Sequence, residues 1–383
     1  MLNISEEQTR DLIGRGFSRR NFGRLAAVLT AGAALPFYNE PALAQFSRTS
    51  MKMGPGAVKI DANENPLGPC TEARNAIASV IPQGGRYMYG ETDIFAEILA
   101  EQEGLKPSYV RAFAGSSAPL HQSVVAFTGP NKPFVICDPG YEAGERAAAF
   151  IGAPVRRVPL LKDRKFAHDV RAMAAASPNA GLIYICNPNN PTGTVTPRSD
   201  IEWLVENKPK GSIILLDEAY IHLADVQMGS DFVAKDKDVI VLRTFSKIYG
   251  MAGIRAGAAL GRPDLLERIS GWSNGAMPIT GMVAATASLK AKGLVPERRR
   301  IIADVRNDVF AWLDKHKFNY VPSVSNKFMV DVKKPGRQVI EAMAHENVFI
   351  GRVWPSWPTH VRVTIGTQEE MNKFKTAFAK VMA

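Results

Sequence analysis

The sequence predicts an α/β protein: a large domain on a mainly parallel sheet sandwiched by helices, with a smaller α+β domain beside it. Three observations carry this. Between about residues 89 and 289, strand-like segments (134–137, 182–186, 213–217 and 239–243), each built on a short apolar run, alternate with helical stretches, as expected of strands buried on both faces. After residue 290 the pattern changes to a helix around 301–316, strands near 328–332 and 361–365, and a closing helix. The chain's 383 residues, 46% of them hydrophobic, are enough for two packed domains.

At the N-terminus, residues 18–24 read SRRNFGR, followed by a mildly apolar run at 25–37 and the segment PALAQ at 41–45. Paired arginines, a short hydrophobic region and an A-x-A site are the parts of a twin-arginine export signal. Residues 1–44 are therefore expected to be a signal peptide cleaved after Ala44. The run is too short for a membrane-spanning helix, which needs roughly 20 residues. The expected destination is the periplasm of a Gram-negative bacterium, with the export machinery as a transient partner. A cytoplasmic protein with a misread leader is the alternative. Residues 45–88 read as an N-terminal arm and part of the small domain, 89–289 as the large domain, and 290–383 as the rest of the small domain.

The chemistry begins with the second and third apolar runs. The strand at 182–186 (LIYIC) ends in NPNNPTG, where two prolines and three asparagines force a turn and offer an amide donor at Asn190. The strand at 213–217 ends in DEAY. An acid there points into the crevice where open α/β sheets bind ligands, although a helix N-cap is the ordinary role for such an Asp. The run at 239–243 leads into TFSKIYGMAGIRAG (244–257), which sets Lys247 in a polar, glycine-rich turn with Arg255 eight residues on. An amine beside other cations or away from water loses its proton more readily and becomes a carbonyl-trapping nucleophile. Hydroxyls at Thr244 and Ser246, with Arg255, suit a phosphate next to that amine. A phosphorylated aldehyde held by a lysine describes pyridoxal phosphate. Asp217 would pair with its ring nitrogen and Tyr220 with its ring oxygen.

NPNNPTG, DEAY and SKxxGMAGIRxG, in this order and spacing, resemble the fold-type I pyridoxal phosphate aminotransferases of class I/II, and within them the histidinol-phosphate aminotransferase group. The resemblance runs from about Lys59 to the C-terminus. It implies Lys247 as the Schiff-base lysine, Asp217 as the pyridinium partner, Asn190 and Tyr220 on the ring oxygen, and Ser246 and Arg255 on the phosphate. It also implies phosphate ligands at Gly115, Ser116 and Ser117 in AFAGSS, a helix-N-terminal turn of the kind that binds anions. The acid usual near Ala118 is absent. DPGY places Tyr141 as the residue stacking on the pyridine ring. Arg86–Tyr87 matches a pair whose tyrosine reaches the partner subunit's phosphate, so a homodimer with shared sites is implied. In DANENPLGP (61–69), Asn65 is the implied substrate contact.

Near the C-terminus, HVRVTIGT (360–367) alternates as a strand should. The resemblance makes Arg362 the grip on the substrate α-carboxylate, a task suited to a planar guanidinium. Arg352 matches a second arginine that contacts a distal phosphate. Between them, Trp354 and Trp357 either line an aromatic pocket or pack the core. Lys327, in SNKF, stands where the family has an apolar residue.

The activity implied is ping-pong transamination between an amino acid and a 2-oxo acid such as 2-oxoglutarate. The donor is expected to be aromatic or apolar, or histidinol phosphate as in the family. Alternatives are a decarboxylase or lyase on the same scaffold, or a non-catalytic binding protein. The net charge of +10 is scattered, and its one cluster, ERRR at 297–300, lacks the interleaved aromatics of a nucleic-acid surface. Three well-separated cysteines indicate neither a disulfide framework nor a metal site.

Overall fold

Strands form where the apolar runs fall. The computed structural model describes residues 6–18, 43, 49–271 and 277–383. Within these, β1 (Val58–Ile60) is followed by β2 (Val110–Phe113), β3 (Phe134–Asp138), β4 (Val155–Pro159) and β5 (Leu182–Cys186). Next come β6 (Ile213–Asp217), β7 (Val239–Thr244) and β8 (Gly257–Leu260). The C-terminal part adds β9 (Asn319–Val321), β10 (Lys327–Asp331), β11 (Val348–Ile350) and β12 (His360–Thr364).

Seven strands make one sheet in the order β2-β8-β7-β6-β5-β3-β4. The neighbours from β4 to β7 are all parallel. β8 runs antiparallel to both β7 and β2, so β2 returns to the common direction. The mainly parallel sheet expected from the sequence is present, with one reversed strand. β5, β6 and β7 are buried along their whole lengths, as strands without a polar face must be.

Because six of the seven strands point the same way, the carboxyl ends of β2, β3, β5, β6 and β7 share one edge of the sheet. That edge is where open α/β sheets take ligands. It receives the segments carrying Gly115, Tyr141, Asn190, Tyr220 and Lys247.

Two smaller sheets complete the fold. β12, β10 and β9 pair antiparallel, with Lys327 opposite Thr364 and Met329 opposite Arg362. β1 pairs parallel with β11, Val58 opposite Val348, tying the N-terminal arm to the C-terminal region. The last helix, Gln368–Met382, starts at a capping box in which Thr367 and Glu370 satisfy each other's backbone amides.

A short helix, Glu6–Gly14, precedes all of this. It is seated on the large sheet's helical layer: Leu12, Arg15 and Phe17 are buried, and Arg15 Nη1 donates to the carbonyls of Val125 and Thr128 at 2.6 and 2.8 Å. The Arg19–Arg20 pair, the apolar run 25–37 and all of the expected cleavage segment except Leu43 lie outside the described residues.

Candidate active site

One cleft at the carboxyl edge of the sheet is lined by ten of the residues singled out in the sequence: Ser116, Ser117, Tyr141, Asn190, Asp217, Tyr220, Thr244, Ser246, Lys247 and Arg255. The chain delivers them from five strand ends, and that convergence is a property of the parallel sheet rather than of any one motif.

Lys247 follows the end of β7 and is 8% exposed. Its Nζ donates to the Asn63 carbonyl at 3.0 Å and lies 5.5 Å from the centre of the Tyr220 ring. Asn63 adopts φ +54°, a left-handed conformation that asparagine tolerates better than most residues. Its Nδ2 donates to the Tyr220 hydroxyl at 3.0 Å. Sequence reasoning missed this asparagine and chose its neighbour. Asn65 instead donates to the backbone carbonyls of Lys247 and Ile248 at 3.0 and 3.1 Å, so its amide braces the lysine turn where the sequence suggested a substrate contact.

Asp217, at the end of β6, is buried. Its Oδ2 accepts from the Tyr184 hydroxyl at 2.7 Å and its Oδ1 from the Ala219 amide at 3.1 Å. Burial raises the pKa of this carboxyl, while those two bonds and the nearby Lys247 and Lys327 charges pull the other way. The turn onto Ala219 shows that Asp217 closes a loop and caps no helix. Tyr184 reads as an ordinary core residue in LIYIC. Only the register, with Cys186 opposite Asp217, brings its hydroxyl to the acid.

The phosphate-like corner is built from β2, β7 and the loop before β8. Arg255 Nη1 donates to Ser246 Oγ at 3.3 Å, and Nη2 donates to the Ala114 carbonyl at 3.1 Å. Burial lowers the Arg255 pKa, so an anion in this corner would relieve a desolvated cation. Thr244 Oγ1 and Ser246 Oγ are 3.0 Å apart. Gly115 sits at φ +87°, and a Cβ there would collide with the Arg255 guanidinium. The glycine thus keeps open a cradle between Arg255 and the N-terminus of helix Ser117–Phe127.

Arg362, on β12, is fully buried. Its Nη1 donates to Asn190 Oδ1 at 3.0 Å and its Nη2 to the Asp61 carbonyl at 2.6 Å, which holds the guanidinium at the rim of the cleft. Arg352 stands elsewhere: its Nη1 donates to both Glu142 oxygens at 3.1 Å, and the group stacks over Trp354 at 4.7 Å. Trp354 is 2% exposed, donates to the Gly140 carbonyl at 2.8 Å, and packs with Val321 and Met329. Trp357 packs against that cluster and edge-on to Phe166, 5.0 Å between centroids. Of the two readings for these rings, packing is the one seen. Tyr87 lies on the surface, stacked on Tyr89 at 5.6 Å.

A buried acid, an amine near it, paired oxygen-ring donors and an anion cradle with an arginine together fit a phosphorylated pyridine aldehyde. The fold and this site define a pyridoxal phosphate enzyme. The chain belongs to the aminotransferase class I and II family, whose pattern matches residues 55–378. It is 31% identical over 336 residues to the histidinol-phosphate aminotransferase of Moorella thermoacetica, covering 85% of this chain and 86% of that protein. It is likewise 31% identical over 341 residues to the aromatic amino acid aminotransferase of Cutibacterium acnes, covering 86% and 94%. The solved histidinol-phosphate aminotransferase of Sinorhizobium meliloti, in complex with pyridoxal 5'-phosphate, superposes with a TM-score of 0.80 at 28% identity, covering 91% of this chain and 95% of that one. The fold is that of the fold-type I aminotransferases, and the protein is a pyridoxal phosphate-dependent transaminase.

Proposed function

We propose that the enzyme moves an amino group from an aromatic or apolar amino acid to a 2-oxo acid such as 2-oxoglutarate, with Lys247 as its central residue. Bound pyridoxal phosphate supplies the electron sink for the pair left when Cα loses its proton. Arg362 grips the substrate carboxylate bidentately and so fixes which bond at Cα faces the ring. Lys247 Nζ would take the Cα proton and deliver it to the cofactor carbon that is bonded to the transferred nitrogen, acting as base and then acid. With the cofactor bound, Asp217 would keep the proton on its ring nitrogen, Asn190 and Tyr220 would hold its ring oxygen, and Tyr141 would cover the ring face. Arg255, Thr244, Ser246, Ser117, Ser116 and the Gly115 backbone carry the phosphate. The observation that carries this reading is the Lys247 amine, buried in one cleft with Asp217, Tyr220 and Arg255.

The substrate preference rests on the second arginine. Arg352 already faces a carboxylate, Glu142, and a ring, Trp354. A distal phosphate would have to displace Glu142, so an uncharged side chain suits the site better than histidinol phosphate. The similarity to an aromatic amino acid aminotransferase supports the same direction. Tyr87, exposed on the single chain, fits a homodimer in which it meets a second copy. The arginine pair and following segment support export by the twin-arginine route to the periplasm.

The test is to mix purified holoenzyme with single amino acids and follow conversion of the cofactor to its amine form. Aromatic and apolar donors should convert it faster than histidinol phosphate, and Lys247→Ala should abolish conversion. Full turnover by Lys247→Ala overturns the mechanism. Conversion by histidinol phosphate alone overturns the substrate.

A further inference from the structure

Behind the cleft wall at Tyr220 lies a second buried lysine that the transamination chemistry above does not use. Lys327 opens β10 and is fully buried, directly behind Tyr220. Its Nζ lies 3.0 Å from the centre of the Tyr220 ring and donates to Ser325 Oγ at 3.0 Å. The register places Lys327 opposite Thr364, two residues along each strand from the Met329–Arg362 pair, so Lys327 and Arg362 share one face of this small sheet. Thr364 Oγ1 in turn accepts from the Asn63 amide at 2.9 Å. The same Asn63 receives Lys247 and donates to Tyr220. Lys327 therefore belongs to the scaffold that holds the reacting amine.

Two amines face one aromatic ring. Nζ of Lys327 is 3.0 Å and Nζ of Lys247 is 5.5 Å from the Tyr220 centroid, so they are no further apart than those two distances combined. A cation against a ring face draws on its negative quadrupole and makes the phenol a stronger donor. At such separations and an intermediate dielectric, a fixed positive charge also opposes a second positive charge appreciably. Both effects act in one direction: a proton on Lys247, or on the linkage it forms with the cofactor, is held less tightly.

The other charged or titratable groups around Lys247 each have a different task. Asp217 from β6 answers the ring nitrogen, and Glu64 lies on the arm. Arg255 answers the phosphate and Arg362 the substrate carboxylate. Tyr141, Tyr220 and Cys186 complete the lining, and burial keeps the Cys186 thiol protonated by raising its pKa.

We infer that Lys327 is an electrostatic positioning residue which, through the Tyr220 ring, lowers the proton affinity of the cofactor linkage at Lys247. The enzyme then rests with that linkage ready to accept an incoming amine at neutral pH. The inference depends on Lys247 being the attachment lysine, and the experiment separates the two.

The readout is the pH midpoint at which the bound cofactor's absorbance changes, measured on the holoenzyme without substrate. Lys327→Met, similar in length and apolar, should raise the midpoint by about one pH unit, whereas Lys327→Arg should leave it near that of the unaltered enzyme. An unchanged midpoint in Lys327→Met overturns the inference. So does an equal shift in Lys327→Arg, because packing rather than charge would then be the cause. Should Lys327→Met fail to fold, Lys327→Gln gives the same reading. Lys247→Ala should lose the pH-dependent band entirely. A band that persists there but vanishes in Lys327→Met would instead make Lys327 the attachment site.

Discussion

Lys247 and Lys327, both buried, have unlike roles because of what lies within a few ångströms. Lys247 meets a backbone carbonyl in an open cleft, and Lys327 meets a ring face behind it. The sequence singles out Lys247 through its turn, and with it Asp217, Tyr220, Asn190 and Arg255. Asn63 and Tyr184 are not legible in that way, since one depends on a left-handed backbone angle and the other on strand register. A residue outside the site yields a pH prediction. His168 is buried, with Nδ1 2.6 Å from Thr196 Oγ1, and burial pushes its pKa down to about 4. The unfolded imidazole keeps its ordinary value near 6.5, so as pH falls the unfolded chain takes up the proton first. The stabilising contribution is present above pH 6.5 and is lost as pH drops towards 4, on the order of 3 kcal/mol in all. His168→Asn retains a hydrogen-bonding group without that titration. Urea unfolding at neutral and mildly acidic pH should show a smaller loss for the variant, and an equal loss would refute the assignment.

At the scale of elements, the strand ends are held by charge as well as by apolar packing. Arg243 on β7 donates through Nε and Nη2 to Glu103, at the end of helix Gly90–Glu103, at 2.6 and 2.9 Å. Its Nη1 pairs with Glu218, the residue after Asp217. All three side chains are buried. The triad thus locks the exit of β6, which aims Asp217, to the strand that leads into Lys247. Removing one member leaves an uncompensated buried charge, whose cost is typically about 3–5 kcal/mol. Arg243→Met should lower the free energy of unfolding by that order in denaturant titration. A loss below about 1 kcal/mol would mean that solvent reaches the remaining acids. The apolar run 239–242 reads as a strand in the sequence, and nothing in it identifies the two acids that Arg243 at its end joins.

For the whole molecule, the N-terminal segment is docked on the large domain. The helix Glu6–Gly14 is docked through Leu12, Arg15 and Phe17, so cleavage after Ala44 would remove a packed element together with the arginine pair. Under the export reading, changing Arg19 and Arg20 together to lysine should hold the protein in the cytoplasm, whereas the unaltered protein appears in the periplasmic fraction. Cytoplasmic location of both would sink that reading. The sequence by itself determined the class of fold, the cofactor and most of the residues that line the cleft, because apolar runs and turn motifs are local and strands buried on both faces favour a mainly parallel sheet. Tertiary structure alone decided that Arg352 faces Glu142, that Trp354 packs a core, and that Lys327 sits behind Tyr220. Each of those outcomes depends on residues far apart in the chain being brought within contact distance, and such separations leave no mark on local pattern.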